Sequence, residues 1–305
     1  MMETQSRDYA HVYKTIQKSL KEYLDTYGIK NVVLGISGGI DSTVVAAVVH
    51  GIEGVNLIGV SLPCSTNKSD EISTASMVGA EFCNHFNEHS IQDAFVTMEK
   101  HCEEISGHPS TPISQGNIKA RLRMIALYDI ASKYNGIVLD TDNKTEHLLG
   151  FFTINGDCTD LSPIANLWKT EVYEFAKWLL DNVYKESKAL KSSISLIPTD
   201  GNGVSNSDLD QIAPNCTYFD VDKILKLWTN LHPHVRYIIS DKFDFDMGEK
   251  SAISELVKNY GRDIVKGVCL RNQRSKFKRA HRPYVIDLDL ERVLDGNGKP
   301  FQDIE

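Results

Sequence analysis

Leu34-Gly-Ile-Ser-Gly-Gly-Ile-Asp-Ser-Thr43 is the stretch on which the fold turns. It continues an apolar run, Asn31 to Ile36, that reads as a buried parallel strand. It leads into Val44-Val-Ala-Ala-Val-Val49, which reads as a helix packed on that strand. Between them, Ser37-Gly38-Gly39 has almost no side-chain bulk. Two adjacent glycines let backbone N–H groups converge on one anion, and the helix that follows points its positive end at the same place. A phosphate or pyrophosphate is the natural guest. Asp41 could carry a metal ion bridging phosphate oxygens, and Ser42 could donate to a phosphate. The Gly-Lys-Ser/Thr ending of a Walker A loop is missing, so no lysine of this loop reaches a γ-phosphate.

Outward from that loop, strands and helices alternate. Tyr9, Val12, Ile16, Leu20, Tyr23, Leu24 and Tyr27 recur at helical spacing, and Gly28 ends that helix. Val55 to Val60 reads as a second buried strand. A helix is predicted from Asp70 to Phe86, capped by Ser69 or Asp70, then a short strand near His89-Ser-Ile91 and a helix from Gln92 to Ile105. A long helix from Ser114 to Tyr134 precedes a strand at Gly136-Ile-Val-Leu139. The pattern predicts an α/β fold with a doubly wound parallel sheet flanked by helices and a more helical C-terminal half. Ligands would sit at the C-terminal strand ends, where Ser37 and Thr141 both lie.

Further helices are expected at Thr170–Val183, Asp208–Ile212, Val221–Leu231, Lys250–Tyr260 and Asp263–Phe277, with an irregular tail from Pro283. No linker separates domains, so residues 1–305 read as one domain, with a core of about 10–185 and a helical part of about 186–305. The segments near 185–195 and 230–246 carry no readable role.

The 305 residues hold 41% hydrophobic and 24% charged side chains, ordinary for a soluble protein with ample core. No apolar run spans a bilayer, and the first eight residues lack a signal peptide's apolar centre. The six cysteines are scattered without a Cys-x-x-Cys pair, which fits free thiols in a reducing cytoplasm. A net charge of −8 argues against a nucleic-acid surface, although Arg271 to Arg282 is a basic run that reads as a phosphate clamp or a solvated helix end.

Three more motifs carry chemistry. In Leu139-Asp-Thr-Asp-Asn-Lys-Thr-Glu-His-Leu-Leu-Gly150, Thr141 can hydrogen-bond a nucleotide, and Glu146 can join Asp41 as a hard oxygen ligand for magnesium. In Gly156-Asp-Cys-Thr-Asp-Leu-Ser-Pro-Ile-Ala-Asn-Leu-Trp-Lys-Thr170, Asp157 and Asp160 can accept from a ligand, and Lys169 can neutralise a phosphate. Gly116-Asn-Ile-Lys-Ala-Arg121 lies on a helix face.

Ser-Gly-Gly-Ile-Asp-Ser resembles the pyrophosphate loop of the N-type ATP pyrophosphatases. With Gln115-Gly-Asn-Ile-Lys-Ala-Arg-x-Arg-Met, Thr-Asp-Asn-Lys-x-Glu-x-x-x-Gly-Phe-Phe-Thr, and Asp160-Leu-Ser-Pro followed by Lys169-Thr, it is similar to ammonia-dependent NAD synthetase, in that family's order, over roughly Lys14 to Pro283. The resemblance implies a cytoplasmic homodimer that joins ATP, deamido-NAD and ammonia into NAD, AMP and pyrophosphate, with Mg2+ as cofactor.

It further implies that Gly35, Ile36, Ser37, Gly38, Gly39, Ile40, Asp41 and Ser42 hold ATP, together with Thr141, Lys169 and Thr199. Asp41 and Glu146 would bind the metal and, with Lys169, carry the catalysis. Asn117, Arg121, Asp160, Phe277 and Lys278 would contact deamido-NAD. Ile154 stands where the family has a lysine, the 156–160 loop is one residue short, Asp140 replaces a glycine, and Phe277 replaces a histidine. The glycine-rich loop Pro198 to Gly203 is expected to close over nucleotide. The 34 residues before Gly35 are too few for a glutaminase domain, so free ammonia, or ammonia from a separate partner, is the expected nitrogen source. The alternatives are another ATP pyrophosphatase, tRNA-modifying or GMP-synthetase-like, and a non-catalytic nucleotide-binding module.

Overall fold

Val32, Val33 and Leu34 are fully buried, and their strand, β1 (Asn31–Gly35), sits inside a parallel sheet. The computed structural model describes residues 7–157, 159–199, 208–230, 252–279, 285–287 and 292–294. β1 pairs with β2 (Asn56–Ser61) on one side and with β4 (Gly136–Leu139) on the other. β3 (His85–Glu88) pairs with the outer side of β2, which gives the order β3-β2-β1-β4. A strand flanked on both sides needs apolar residues on both faces, and continuous runs such as Val-Val-Leu supply them.

Alternate residues of β1 serve different layers. Val32 and Leu34 join α1 (Tyr9–Thr26), α2 (Ile40–His50), α3 (Ser69–Phe82), α7 (Lys169–Asn182) and α8 (Lys188–Ser195) in one core cluster. Val33 joins Ile58, Val60 and Val138 under Leu127, Tyr128 and Ala131 of α5 (Pro112–Lys133), on the other face. Helices on both faces of a parallel sheet are the predicted doubly wound arrangement. α4 (Gln92–Ser106) packs beside α5. α2 buries nine of its eleven residues, so its apolar run has no solvent face. Asp8 caps α1 by accepting from the His11 amide, and Thr111 with Pro112 starts α5.

α3 ends at Phe82, four residues before the predicted Phe86, and β3 lies at His85–Glu88 in place of the strand expected near His89. The reason is Gly79: a Cβ there would meet the Phe86 ring at 2.2 Å, so the ring folds back over the bare glycine and the chain reverses between them. The helix cap also differs from expectation. Lys68 is the N-cap, and its amide donates to Glu71 of the first turn. α8 occupies the segment whose role could not be read. Glu81 of α3 accepts from the Ser187 hydroxyl and from the Lys188 and Ala189 amides, which fixes the start of α8.

The chain divides into two compact units, Met1–Asn143 with Phe152–Asp208, and Lys144–Phe151 with Leu209–Glu305. The second contains α6 (Lys144–Leu149), a 3-10 turn at Asp208–Gln211 that leads into it, α9 (Tyr218–Asn230), α10 (Ala252–Tyr260) and α11 (Arg262–Arg274). Val221, Ile224, Leu225, Trp228, Val265 and Val268 are its buried apolar centre. The Trp228 indole donates to Asn272 at 3.0 Å, and Thr145 of α6 donates to buried Asp222 at 2.5 Å. The tail expected to be irregular holds β5 (Val285–Asp287) and β6 (Arg292–Leu294), paired antiparallel.

Candidate nucleotide site

The Ser37–Gly39 loop lies at the C-terminal end of β1, and the Ile36 amide still pairs with Val60 O. Gly38 has φ +84, and a Cβ there would stand 2.1 Å from the carbonyl oxygen of Glu71. Only glycine fits that close approach. Gly39 is the N-cap of α2 and brings no capping side chain. Ser42 and Thr43 donate their hydroxyls back to Gly39 O, at 3.1 and 2.8 Å, which stiffens the first turn. The positive end of a buried helix and a bulk-free loop therefore coincide, as an anion site requires.

Asp41, in the first turn of α2, is gripped from two directions. Lys169 Nζ donates to its Oδ2 at 2.5 Å, and Asn143 Nδ2 donates to its Oδ1 at 2.8 Å. The Lys169 and Asp41 side chains are 3% and 14% exposed, so this ion pair is largely desolvated. Lys169 begins α7, and Asn143 follows β4, so three separate pieces of chain meet at one carboxylate. Asp140 builds the turn that brings Asn143 there: it accepts from the Asp142 amide at 2.7 Å and from the Ser162 hydroxyl at 2.9 Å. Thr141 lies on the same turn. Asn143 is fully buried and carries no role in the sequence reading; its only signal was its place inside the Thr-Asp-Asn motif.

Thr199 reaches the same region from the far end of its loop. Its hydroxyl donates to Glu71 Oε1 at 2.5 Å. Residues 200–203 of the predicted closing loop lie outside the described residues.

Two candidate dinucleotide contacts hold a turn. Arg121 donates to Ile154 O at 3.2 Å, and Asn117 accepts from the Thr153 hydroxyl at 3.0 Å. Asp157 accepts from the Thr153 amide at 2.5 Å. Burial pushes the Asp157 carboxyl up, and the Thr153 amide and the Arg123 guanidinium pull it back. Asp160 accepts from the Tyr128 hydroxyl and the Val138 amide, which fastens the chain to the edge of β4.

Glu146, Phe277 and Lys278 belong to the second unit, Glu146 on α6 and the other two on the 3-10 turn Lys276–Lys278. Phe277 is exposed. Three residues of the basic run that reads as a phosphate clamp or a solvated helix end are engaged with backbone. Arg271 donates to Leu149 O, Arg279 to Leu148 O and Lys278 to Gly150 O, each at 2.9 Å. These are the last carbonyls of α6 and the glycine after it, where cations are stabilised by the helix dipole. The Arg271 guanidinium also lies 4.9 Å from the centre of the Phe151 ring.

Gly150 allows this docking, because φ is +65 and a Cβ would meet Ser275 Cβ at 2.4 Å. Gly150→Ala should lower the melting temperature by about 3–8 °C, from a left-handed penalty of roughly 1–2 kcal/mol plus the clash. An unchanged melting curve would show that α11 yields freely at this point.

Among the described residues no group of three His, Cys, Asp or Glu side chains is placed to hold a metal. Asp41 suits magnesium all the same. Beside phosphates that ion takes one or two carboxylates and completes its shell with phosphate oxygens and water.

The sequence model of the NAD synthase family matches residues 12–281. The chain belongs to the NAD synthase family. Within it, the NH(3)-dependent NAD(+) synthetase of Wolinella succinogenes is 36% identical over 198 residues, 63% of this chain and 74% of that protein. Among solved structures, the NMN synthetase of Francisella tularensis superposes with a TM-score of 0.71 at 24% identity, covering 91% of this chain and 98% of its own. The NH3-dependent NAD synthetase of Campylobacter jejuni superposes with a TM-score of 0.67 at 24% identity, covering 92% of this chain and 100% of its own. At that identity the two structures support the α/β fold.

Proposed function

We propose that this chain is an ammonia-dependent NAD synthetase, which amidates deamido-NAD with ammonia at the expense of ATP and releases AMP and pyrophosphate. The observation that carries the reading is the meeting of Asp41, Lys169 and Asn143 beside the Ser37–Gly39 loop, in a chain of this family. Carboxylates are poor electrophiles, so the nicotinate must first gain a leaving group. The acid would attack the α-phosphorus of ATP, and pyrophosphate would leave toward the backbone donors of the loop. Lys169 would meet the developing phosphate charge. Ammonia would then attack the acyl-adenylate and AMP would leave, with no covalent enzyme intermediate. Asp41 and Glu146 are the carboxylates proposed for Mg2+, which neutralises phosphate charge when bound.

Tying the 153–154 turn, Arg121 and Asn117 are proposed to shape the deamido-NAD site together with Asp160, Phe277 and Lys278. Exposed apolar side chains on α4 and α5, among them Val96, Met98, Ile105, Ile113 and Ile125, support the proposed homodimer. No helix among the described residues is long and apolar enough to cross a membrane, and the proposed location is the cytoplasm.

The thiol chemistry of tRNA thiolation finds no support. Burial pushes the Cys83, Cys216 and Cys269 thiols up to about 12, which keeps them protonated at neutral pH.

Pyrophosphate release measured with ATP, ammonium and Mg2+, with and without deamido-NAD, tests the proposal. Release should require deamido-NAD, stop when EDTA removes the metal, and fall to background when glutamine replaces ammonium. Release without an acceptor would favour a bare pyrophosphatase. Preference for nicotinate mononucleotide would move the substrate to the smaller acid.

A further inference from the structure

Glu71 stands at a junction that the chemistry above does not use. It lies in the first turn of α3 and is 9% exposed, an unusual place for a carboxylate. One oxygen, Oε2, accepts from the Lys68 amide and from Asn67 Nδ2, both at 3.2 Å, and so caps its own helix. The other oxygen, Oε1, turns away from the helix and accepts the Thr199 hydroxyl at 2.5 Å, from 128 residues along the chain. The backbone of the same residue forms the wall of the phosphate loop, since Glu71 O is the atom a Cβ on Gly38 would strike. One residue therefore touches both the Ser37–Gly39 loop and Thr199.

We propose that Glu71 is a positioning residue for ATP: it holds Thr199 in register with the phosphate loop, and ATP is bound through Thr199 only while that hydrogen bond holds the residue in place. The inference rests on the reading of Thr199 as an ATP contact. A capping carboxylate needs only its own helix as partner. The second oxygen reaches outside the helix, to Thr199, and ties the Pro198–Thr199 segment to the residue whose carbonyl walls Gly38. The bond is charge-assisted and partly buried, so it is stronger than an exposed contact between neutral groups.

Calorimetric titration with ATP, without acceptor, tests this on Glu71→Ala, Glu71→Gln, Thr199→Val and the double variant Glu71→Ala/Thr199→Val. Glu71→Ala and Thr199→Val should each weaken ATP binding by about ten- to a hundredfold, the range for a lost hydrogen bond to a charged group. The double variant should bind no more weakly than either single variant. Glu71→Gln can still serve the capping box but gives up the charge on the bond to Thr199, so it should weaken ATP binding by about three- to tenfold while melting above Glu71→Ala. Additive losses in the double variant, or equal ATP affinity in Glu71→Ala and the unaltered protein, would overturn the proposal.

Should Glu71→Ala fail to fold, Glu71→Gln and Thr199→Val decide the matter. Glu71→Gln must lose ATP affinity by itself but none on top of Thr199→Val in the double variant Glu71→Gln/Thr199→Val; equal affinity in Glu71→Gln and the unaltered protein, or additive losses, refutes the positioning role. The parent reading is separable. A protein that binds ATP with this coupling but forms no NAD from ammonium would sink the synthetase proposal and leave Glu71 standing. One that forms NAD with additive variants would do the reverse.

Discussion

Asp41→Asn is expected to lower the rate of NAD formation by about a hundred- to a thousandfold, the scale seen when a preorganised group that stabilises transition-state charge is removed. It should also lower stability, for a reason separate from catalysis. Lys169 is only 3% exposed and its ammonium lies 2.5 Å from Asp41. An amide in place of the carboxylate leaves that buried charge facing a neutral group, and removing one member of a buried ion pair costs about 3–5 kcal/mol. The two effects can be told apart with Asp41→Asn/Lys169→Met. A methionine of similar length replaces the buried charge, so the double variant should regain most of the melting temperature lost in Asp41→Asn. Its activity should stay at the floor, because neither the proposed metal carboxylate nor the proposed phosphate partner has returned. Recovery of activity along with stability would mean that Asp41 serves the fold alone.

How far the sequence spoke depends on how local the signal was. β1, β2 and β4 announce themselves because a strand buried on both faces must be apolar throughout, as Val32, Val33 and Leu34 are. β3, His-Phe-Asn-Glu, sits on the sheet edge with three of its four residues exposed, so neither alternation nor an apolar run marks it. The helix before it was read too long because Phe86 continues the helical period of α3; only its packing over Gly79 shows that the chain has turned.

The same division holds at the site. The Ser-Gly-Gly-Ile-Asp-Ser loop was legible because glycine spacing and a following helix are facts of sequence. Asn143 and Glu71 were not, because their meaning lies in partners 102 and 128 residues away. Arg271, Lys278 and Arg279 belong to a run that reads as a phosphate clamp or a solvated helix end, and their backbone partners were not foreseen. Charge is visible in a sequence, whereas the backbone carbonyls of Leu148, Leu149 and Gly150 that engage it are not.

Gly38→Ala should abolish measurable ATP binding, and Gly39→Ala, one residue on, should leave the fold intact. The contrast follows from what each added methyl group would meet. At Gly38 the backbone is left-handed, with φ +84, where an L side chain costs roughly 1–2 kcal/mol on its own. The new Cβ would also lie 2.1 Å from Glu71 O and 3.0 Å from Ala75 N, both backbone atoms of α3 that cannot swing aside as a side chain could. Relief requires the loop to lift off α3 or to change φ, and either movement turns the amides of the loop away from their common focus. Gly39 has φ −69 and ψ 164, an ordinary extended conformation, and its Cβ would meet nothing closer than Ser37 Oγ at 3.3 Å. That hydroxyl can rotate. Gly39→Ala should therefore melt within about 2 °C of the unaltered protein, near the limit for an unstrained surface change. Gly38→Ala should melt several degrees lower and give no heat on titration with ATP. If both variants bound ATP equally well, the close approach of the loop to α3 would have no part in holding the nucleotide.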